Sequence, residues 1–288
     1  MSVTLWGIVK TLSILIADFA LAHYFLGTEL AIALTAGIAL YAHLGEYLAL
    51  LKDRAIRPKH LPSWERSKLT CALANLSEDV QRVSGKNISN LKISVIPSDS
   101  INAYAYGFRN IAVTRGLLSN CDDATLCSVL AHEMSHVRNM DPIFSRAMFA
   151  SVTLMTVALI VLSFFSSAVL WIIFALLCLL GLCGGLFSMF LFQGLSKLVK
   201  GCFTLAQRVL IFLYQAIFGL ISRRCEYRAD RYSCQLGYGP QLSYFLSRFV
   251  EGQELAPATL HELIYASHPP TGKRIARIEQ QNTDIVLR

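Results

Sequence analysis

The residues with the clearest chemical potential are His132-Glu133-Met134-Ser135-His136, near the middle of the chain. Residues four apart lie on one face of a helix, so His132 and His136 can bind one Zn²⁺. Glu133, next to the first histidine, can then reach a water molecule bound to the metal. Neutral imidazoles hold the metal without cancelling its charge, and a carboxylate can take a proton from that water. The H-E-x-x-H pattern therefore predicts a zinc site. The alternative is a surface helix that carries two unrelated histidines.

The segment around this pattern has the features of a helix. Asp122 and Asp123 supply an N-cap and favourable first-turn charge, and residues 124–137 contain no Gly or Pro. The two imidazoles are therefore expected on one helical face.

A second pair with the same spacing, Glu226 and Asp230, occurs far downstream. Such a pair suits a third zinc ligand and a carboxylate that orients a ligand histidine. Three protein ligands and one open position are typical of catalytic zinc, whereas structural zinc is usually closed by four Cys or His ligands. The alternatives are a surface ion-pair face with the neighbouring arginines and, as a minor possibility, Cys225 as the ligand.

The composition indicates a membrane protein. Hydrophobic residues make up 54% of the 288 residues and charged residues 16%, with a mean hydropathy of +0.49. Residues 147–196 contain no Asp, Glu, Lys, Arg or His, and fifty helical residues extend roughly 75 Å. Because a bilayer core is about 30 Å thick, this run predicts two crossings, with a turn near Ser166-Ser167.

Two further spans are predicted at the N-terminus, Leu5–Leu26 and Glu29–Leu51. The first is expected to be retained rather than cleaved as a signal peptide, because its apolar part is too long, no basic start precedes it and a second span follows at once. The chain is thus predicted to cross the membrane four times, as two helical hairpins.

The positions of the basic residues predict the orientation. None of the 26 Lys and Arg residues lies in either hairpin tip, so both basic blocks, and the H-E-x-x-H helix with them, are expected in the cytoplasm. The net charge of +7 then points to anionic lipid headgroups and not to nucleic acid, for which no recognition motif is present. The eight cysteines form no C-x-x-C pair and are expected to be reduced.

Ionisable residues inside the first hairpin invite a functional interpretation, because charges at membrane depth are costly. They are Asp18, His23, His43 and Glu46. A structural role is favoured over a proton path, since His43 and Glu46 share one helical face and can pair with each other or with Asp18.

The segment after Lys52 predicts a small sheet ahead of the metal helix. A helix is expected from Ser63 to Val83, followed by extended pieces at 91–96, 102–106 and 110–114. The partly polar middle piece suits a sheet edge, where an extended peptide can add as another strand, although an ordinary hairpin remains the alternative. Residues 203–221 are expected to form a helix lying against the membrane or the domain.

The chain resembles a known family, the HtpX-type membrane zinc metalloproteases, which are relatives of the prenyl-protein (CAAX) endoproteases. The resemblance covers roughly residues 60–280 and rests on several pieces in the expected order. These are Asn102-Ala103-Tyr104-Ala105 with Gly107, Val113-Thr114-Arg115-Gly116-Leu117-Leu118, the His132 to His136 motif, Glu226-Tyr227 with Ala229-Asp230, and His268-Pro269-Pro270 with Lys273-Arg274-Ile275. Tyr104 stands where the family usually has phenylalanine, and this replacement keeps the ring.

The resemblance implies a role for each matching residue. His132, His136 and Glu226 would bind Zn²⁺, Glu133 would be the general base, and Asp230 would orient a ligand. His268 and Arg274 would lie near the substrate oxyanion, and Asn102, Ala103 and Tyr104 would lie along the substrate.

These observations predict an α+β, mainly helical, integral membrane protein with two transmembrane hairpins and a cytoplasmic zincin-like catalytic domain. The expected segments are a first hairpin at 1–51, catalytic segments at 52–146 and 197–288, and a second hairpin at 147–196. The expected activity is zinc-dependent cleavage of unfolded or membrane-associated polypeptides at a bacterial inner membrane. The alternatives are a membrane scaffold or regulator with a structural zinc site and, with less support, a transporter.

The orientation can be tested by cysteine labelling. A cysteine introduced at Asn90 should react with a membrane-impermeant reagent only after the cytoplasmic side is opened, because Asn90 lies within a basic block. Labelling of intact cells at this position would contradict the predicted orientation.

Overall fold

A computed structural model describes residues 3–85, 87–183, 185–250 and 269–286, without the side chains of 284–286. The chain divides into two compact units, Met1–Ala147 with Phe218–Arg288, and Met148–Ile217. The helices are α1 (Leu5–Leu26), α2 (Thr28–Lys52), α3 (Ser63–Ser84), α4 (Arg115–Asn120), α5 (Asp123–Arg138), α6 (Asp141–Leu179), α7 (Leu186–Gln235), α8 (Gly239–Phe245) and α9 (Thr271–Val286), with a 3₁₀ turn at Pro58–His60 and a π-helical segment at Leu246–Val250.

Four helices are long and apolar enough to cross a membrane, namely α1, α2, α6 and α7. Within the first unit, α1 and α2 pack against each other and are joined at Gly27, whose φ of +83° favours a residue without a Cβ atom. The bounds predicted for the first two apolar helices are confirmed to within one residue.

The turn predicted near Ser166-Ser167 is wrong, because α6 continues to Leu179. The two serines were the polar signal in this run, yet Ser167 Oγ donates to the Ser163 carbonyl oxygen at 2.8 Å, so its hydroxyl is satisfied inside the helix. The break follows instead at Gly181, with a φ of +71°. Within this second unit, the rings of Phe174 and Phe192 stack with centroids 4.4 Å apart.

The three predicted strands form one sheet in the order β1 (Lys92–Ile96), β3 (Asn110–Thr114), β2 (Ala103–Ala105). β1 is parallel to β3 and β2 is antiparallel to it, with Tyr104 opposite Ala112. Ile56 forms a bridge with Val95 on the outer side of β1. The second predicted strand, residues 102–106, corresponds to β2. Its predicted position at the sheet edge is confirmed, because no described strand pairs with the other side of β2.

The core of the first unit lies between this sheet and helices α3, α5 and α8. All five residues of β3 are buried, and α5 contributes Leu126, Leu130 and Met134, which are fully buried at intervals of four. Burial of each such side chain contributes about 1.5–3 kcal/mol. This apolar face fixes the rotation of α5 about its own axis.

The ionisable residues of α2 do not pair as expected. The ring of His43 lies beside Phe108, with centroids 5.3 Å apart, and Glu46 is buried next to Gly107 and Arg146. Glu46 therefore lies against Gly107 and Arg146 and makes no ion pair with His43, because the end of α2 packs against the loop that precedes β3.

A fold prediction concerns Gly116, where α4 follows β3. A Cβ atom there would lie 2.2 Å from the Asp99 carbonyl oxygen and 2.5 Å from that of Ser100, and backbone atoms yield little. Gly116→Ala should therefore lower the free energy of unfolding by about 1–3 kcal/mol. Thermal unfolding of the detergent-solubilised protein measures this loss. The control is Gly201→Ala in α7, where a Cβ atom meets nothing within 4 Å, and equal losses for both would contradict the prediction.

Candidate metal centre

The H-E-x-x-H residues lie on α5, opposite its apolar face. The Asp122 side chain caps the helix by accepting a hydrogen bond from the Thr125 N–H at 2.8 Å, as the sequence predicted. His132 lies two residues beyond Leu130, about 200° around the helix. Packing of Leu130 into the core therefore turns His132 and His136 away from it, towards a cavity.

Helix α7 brings the third candidate ligand, Glu226, to the two histidines. The Nε2 atoms of His132 and His136 are 3.2 Å apart, and the Glu226 carboxylate oxygens lie 3.5 and 3.6 Å from them. Ligand atoms at about 2.0–2.1 Å from one tetrahedral Zn²⁺ are about 3.3 Å apart. The three side chains therefore have the spacing that a single Zn²⁺ requires, and they form a group that can hold a metal ion.

Two carboxylates behind the histidines determine which ring nitrogens face the centre. Asp230 Oδ1 lies 3.0 Å from His132 Nδ1, and Asp141 Oδ2 lies 2.8 Å from His136 Nδ1. An ionised carboxylate only accepts hydrogen bonds, so each Nδ1 carries the proton and each Nε2 presents a lone pair. Two lone pairs and a carboxylate then converge, and this arrangement suits a cation bound between them.

The pKa values of His132 and Asp230 are shifted by the charged groups around them. Burial alone would lower the pKa of His132, but Asp230 and Glu226 outweigh it and raise that pKa to about 10. Burial would raise the pKa of Asp230, whereas His132 and Arg274 lower it below its ordinary value. A metal-free centre therefore holds a proton at His132, which a bound Zn²⁺ would displace.

Arg274, on α9, binds the carboxylates of α7. Its Nε and one terminal nitrogen donate to Asp230 at 2.9 and 2.7 Å, and the other terminal nitrogen lies 3.2 Å from Glu226 Oε2. Arg274 as a whole residue is 7% exposed. Its charge stabilises two buried acidic groups and fixes the position of Asp230 behind His132.

Glu133 is partly buried next to the histidines. Burial raises its pKa above the ordinary range, and Glu226 adds to this effect, whereas the two histidines and the Ala105 backbone N–H oppose it. A carboxylate with a raised pKa is suited to accept and return a proton. Ala105 belongs to β2, so the edge strand and Glu133 lie side by side.

The centre opens into a cavity of about 430 Å³. Asn102, Ala103 and Tyr104, at β2, line it, and Arg274 also contributes. Much of the remaining wall is apolar and comes from Val129, Phe218, Ile221, Leu242, Phe245, Leu246, Phe249 and Val250. The cavity therefore combines one extended backbone edge with an apolar wall.

Not every predicted residue can be placed. His268 lies outside the described residues. Cys225 is buried and lines the cavity, but it is absent from the described group of residues that can hold a metal. Asp141 is a positioning residue that the sequence analysis missed. The available signal was a carboxylate five residues beyond the second histidine, just after the end of α5.

The chain is similar in sequence to known proteins. The model of peptidase family M48 matches residues 71–282. A "Protease HtpX homolog" of Thermococcus sibiricus is 29% identical over 220 residues, which cover 66% of this chain and 67% of that protein. One of Bacillus subtilis is 25% identical over 252 residues, which cover 78% of this chain and 74% of that protein.

A solved structure supports the fold. The chain resembles the crystal structure of S. mikatae Ste24p with a TM-score of 0.52 at 19% identity. The match covers 94% of this chain and 65% of that one. At this identity the likeness concerns the fold alone.

The ligand set can be tested by substitution. Glu226→Gln should weaken zinc binding strongly, because a neutral amide is a poorer ligand than a carboxylate. Asp230→Asn should reduce zinc affinity less, by roughly ten- to a hundredfold, because Asp230 acts only through His132. Metal analysis and chelator competition on purified protein measure both effects. Unchanged zinc content and activity in Glu226→Gln would show that another residue, such as Cys225, supplies the third ligand.

Proposed function

The chain belongs to peptidase family M48, and from this premise we propose that it is a membrane-bound, zinc-dependent endopeptidase that cleaves unfolded or membrane-associated polypeptides. Its relatives named HtpX support a membrane metalloprotease. The observation that carries the proposal is the group formed by His132, His136 and Glu226, with Glu133 beside it in the same cavity.

His132, His136 and Glu226 would hold Zn²⁺, and all three side chains line the cavity. Zn²⁺ bound there would supply a Lewis acid that acidifies a water molecule and polarises the scissile carbonyl. Glu133 takes the proton from the attacking water and later gives it to the leaving amine, and its raised pKa favours both steps. Asp230 and Asp141 keep the imidazoles in the tautomer that binds metal.

The edge strand supports a polypeptide substrate. β2 is antiparallel to β3, its other side pairs with no described strand, and residues 102–105 line the cavity. An extended peptide can add to such an edge through main-chain hydrogen bonds, with Asn102, Ala103 and Tyr104 alongside it. Only a locally unfolded segment can lie extended there. The bond to be cleaved must therefore lie in an unfolded segment of the substrate.

Two residues are proposed to act near the substrate oxyanion. His268 is assigned this role by family resemblance alone. Arg274 lines the cavity, and its guanidinium is fixed by Asp230 and Glu226. A cation held in this way needs no rearrangement when negative charge develops on the carbonyl oxygen.

The membrane helices support a multi-pass protein. Four helices satisfy the length and hydropathy of a span. We place the catalytic segments at the cytoplasmic face of a bacterial inner membrane, because the basic residues avoid the expected hairpin tips. The two-hairpin arrangement is part of the same proposal, and membrane lipids are the expected surroundings.

Glu133→Gln separates a protease from a scaffold or regulator whose zinc is structural. The change is nearly isosteric and removes only the base, so zinc content and thermal stability should remain while the turnover rate falls by roughly 10²–10⁴-fold. Cleavage of unfolded casein in zinc-replete buffer, with and without a chelator, gives the rate, and metal analysis of the same sample gives the zinc content.

The matched control is Glu279→Gln on α9, where the side chain is exposed. It should leave the rate unchanged. Wild-type protein that binds zinc but cleaves no unfolded polypeptide would contradict the proposal, as would a Glu133→Gln variant with full activity.

A further inference from the structure

Besides its hydrogen bond with His136, Asp141 contacts two basic side chains. Arg228 donates to both of its oxygens at 2.8 Å, and the Lys10 ammonium binds Oδ1. Asp141 is 8% exposed and Lys10 is 6% exposed. A single buried carboxylate therefore joins a metal-facing histidine to a cation from the first apolar helix, α1.

Other contacts show that α1 packs directly against the end of the metal helix. The Thr4 backbone N–H donates to the Arg138 carbonyl oxygen at 2.9 Å, and Thr4 Oγ1 lies 2.8 Å from Asn139 Oδ1. A Cβ atom on Gly7 would lie 2.5 Å from the Asn139 carbonyl oxygen. Thr4, Gly7 and Lys10 are three residues apart and share one side of α1. This side faces the segment that follows His136.

We infer that Lys10 is a positioning residue of the metal centre, and that it acts through Asp141 to hold His136 in the orientation that binds Zn²⁺. The inference rests on the proposed function, because it assumes that His136 is a zinc ligand. The orientation of this ligand then depends on a helix of the membrane anchor that lies more than 120 residues before it in the sequence.

The energetic argument begins with the location of Lys10. A buried cation in an apolar helix is costly unless a partner compensates it. Its nearest anion is Asp141, and its ammonium also lies 4.9 Å from the ring centroid of Phe144. Because Asp141 uses one oxygen for Lys10 and the other for His136, each contact restricts how the carboxylate can rotate. Loss of Lys10 therefore loosens the support of His136.

Arg228 explains why the fold should survive this loss. It remains bound to both oxygens of Asp141, so removal of Lys10 does not leave a bare buried carboxylate. The side chain of Arg228 is 29% exposed, whereas that of Lys10 is 5% exposed. Water is therefore more fully excluded from Lys10 than from Arg228. Because water cannot easily replace the Lys10 ammonium, its removal should change the orientation of Asp141.

The experiment measures the zinc affinity of the full-length chain in detergent, by competition with a chromophoric chelator after the metal has been removed. Lys10→Met should weaken zinc binding roughly tenfold, the lower end of the effect of groups that orient metal ligands. Lys10→Arg should restore most of the affinity, because it returns a donor with the same charge. The casein assay on zinc-saturated samples then reports kcat and KM separately.

Two further variants exclude a merely structural role. Thr4→Val removes the side-chain contact with Asn139 but keeps the Lys10 charge, so it should lower the melting temperature of the metal-free protein while leaving zinc affinity near that of the wild type. If Lys10 acts through Asp141, the double variant Lys10→Met/Asp141→Asn should bind zinc no more weakly than Asp141→Asn alone, because the effects of coupled groups do not add.

The inference is overturned if Lys10→Met binds zinc as tightly as the wild type, or if Thr4→Val weakens binding as much as Lys10→Met. Should Lys10→Met fail to fold, Lys10→Gln keeps a donor without the charge and carries the same expected and contrary results. Wild-type protein that binds no zinc would refute the proposed function itself. Equal zinc affinities of wild type and Lys10→Met would refute only the role of Lys10.

Discussion

The candidate metal centre depends on three electron-pair donors, His132, His136 and Glu226, that lie close together in a buried site. Two imidazole nitrogens 3.2 Å apart and a carboxylate within 3.6 Å of both repel one another unless a positive charge lies between them. The surrounding structure maintains this arrangement by compensating the negative charges behind it. Arg274 binds Asp230 and Glu226, while Arg228 and Lys10 bind Asp141. Asp230, Glu226 and Asp141 thus each contact an arginine or a lysine.

The same packing also aligns the centre with the sheet edge. α5 turns its leucines into the core and its histidines into the cavity, so its rotation cannot change without exposing apolar surface. β3 is buried throughout and holds β2 in register beside Glu133. A polypeptide laid along β2 would therefore lie beside Glu133 without any rearrangement of the core. The geometry of the candidate site and the stability of the fold thus rest on the same contacts.

The apolar helices have two kinds of role in this chain. Within the second unit, α6 and α7 pack through aromatic contacts such as Phe174 with Phe192, and large apolar side chains there remain exposed, as expected of surfaces that contact lipid. In the first unit, α1 also carries polar residues on one side that bind the end of the metal helix. The buried lysine of α1 has its partner there, in the carboxylate of Asp141.

The sequence by itself determined the elements whose signals are local. Spacing by four defined the H-E-x-x-H pair and the Glu226 to Asp230 pair, alternation predicted the strands, and apolar runs predicted four helices of spanning length. The tertiary structure decided what depends on contacts between distant residues. It placed the helix break after Leu179, set Glu46 beside Gly107 and Arg146, and joined Asp141 to both Lys10 and His136. No local pattern marks these partners, because they meet only when helices from different parts of the chain pack together.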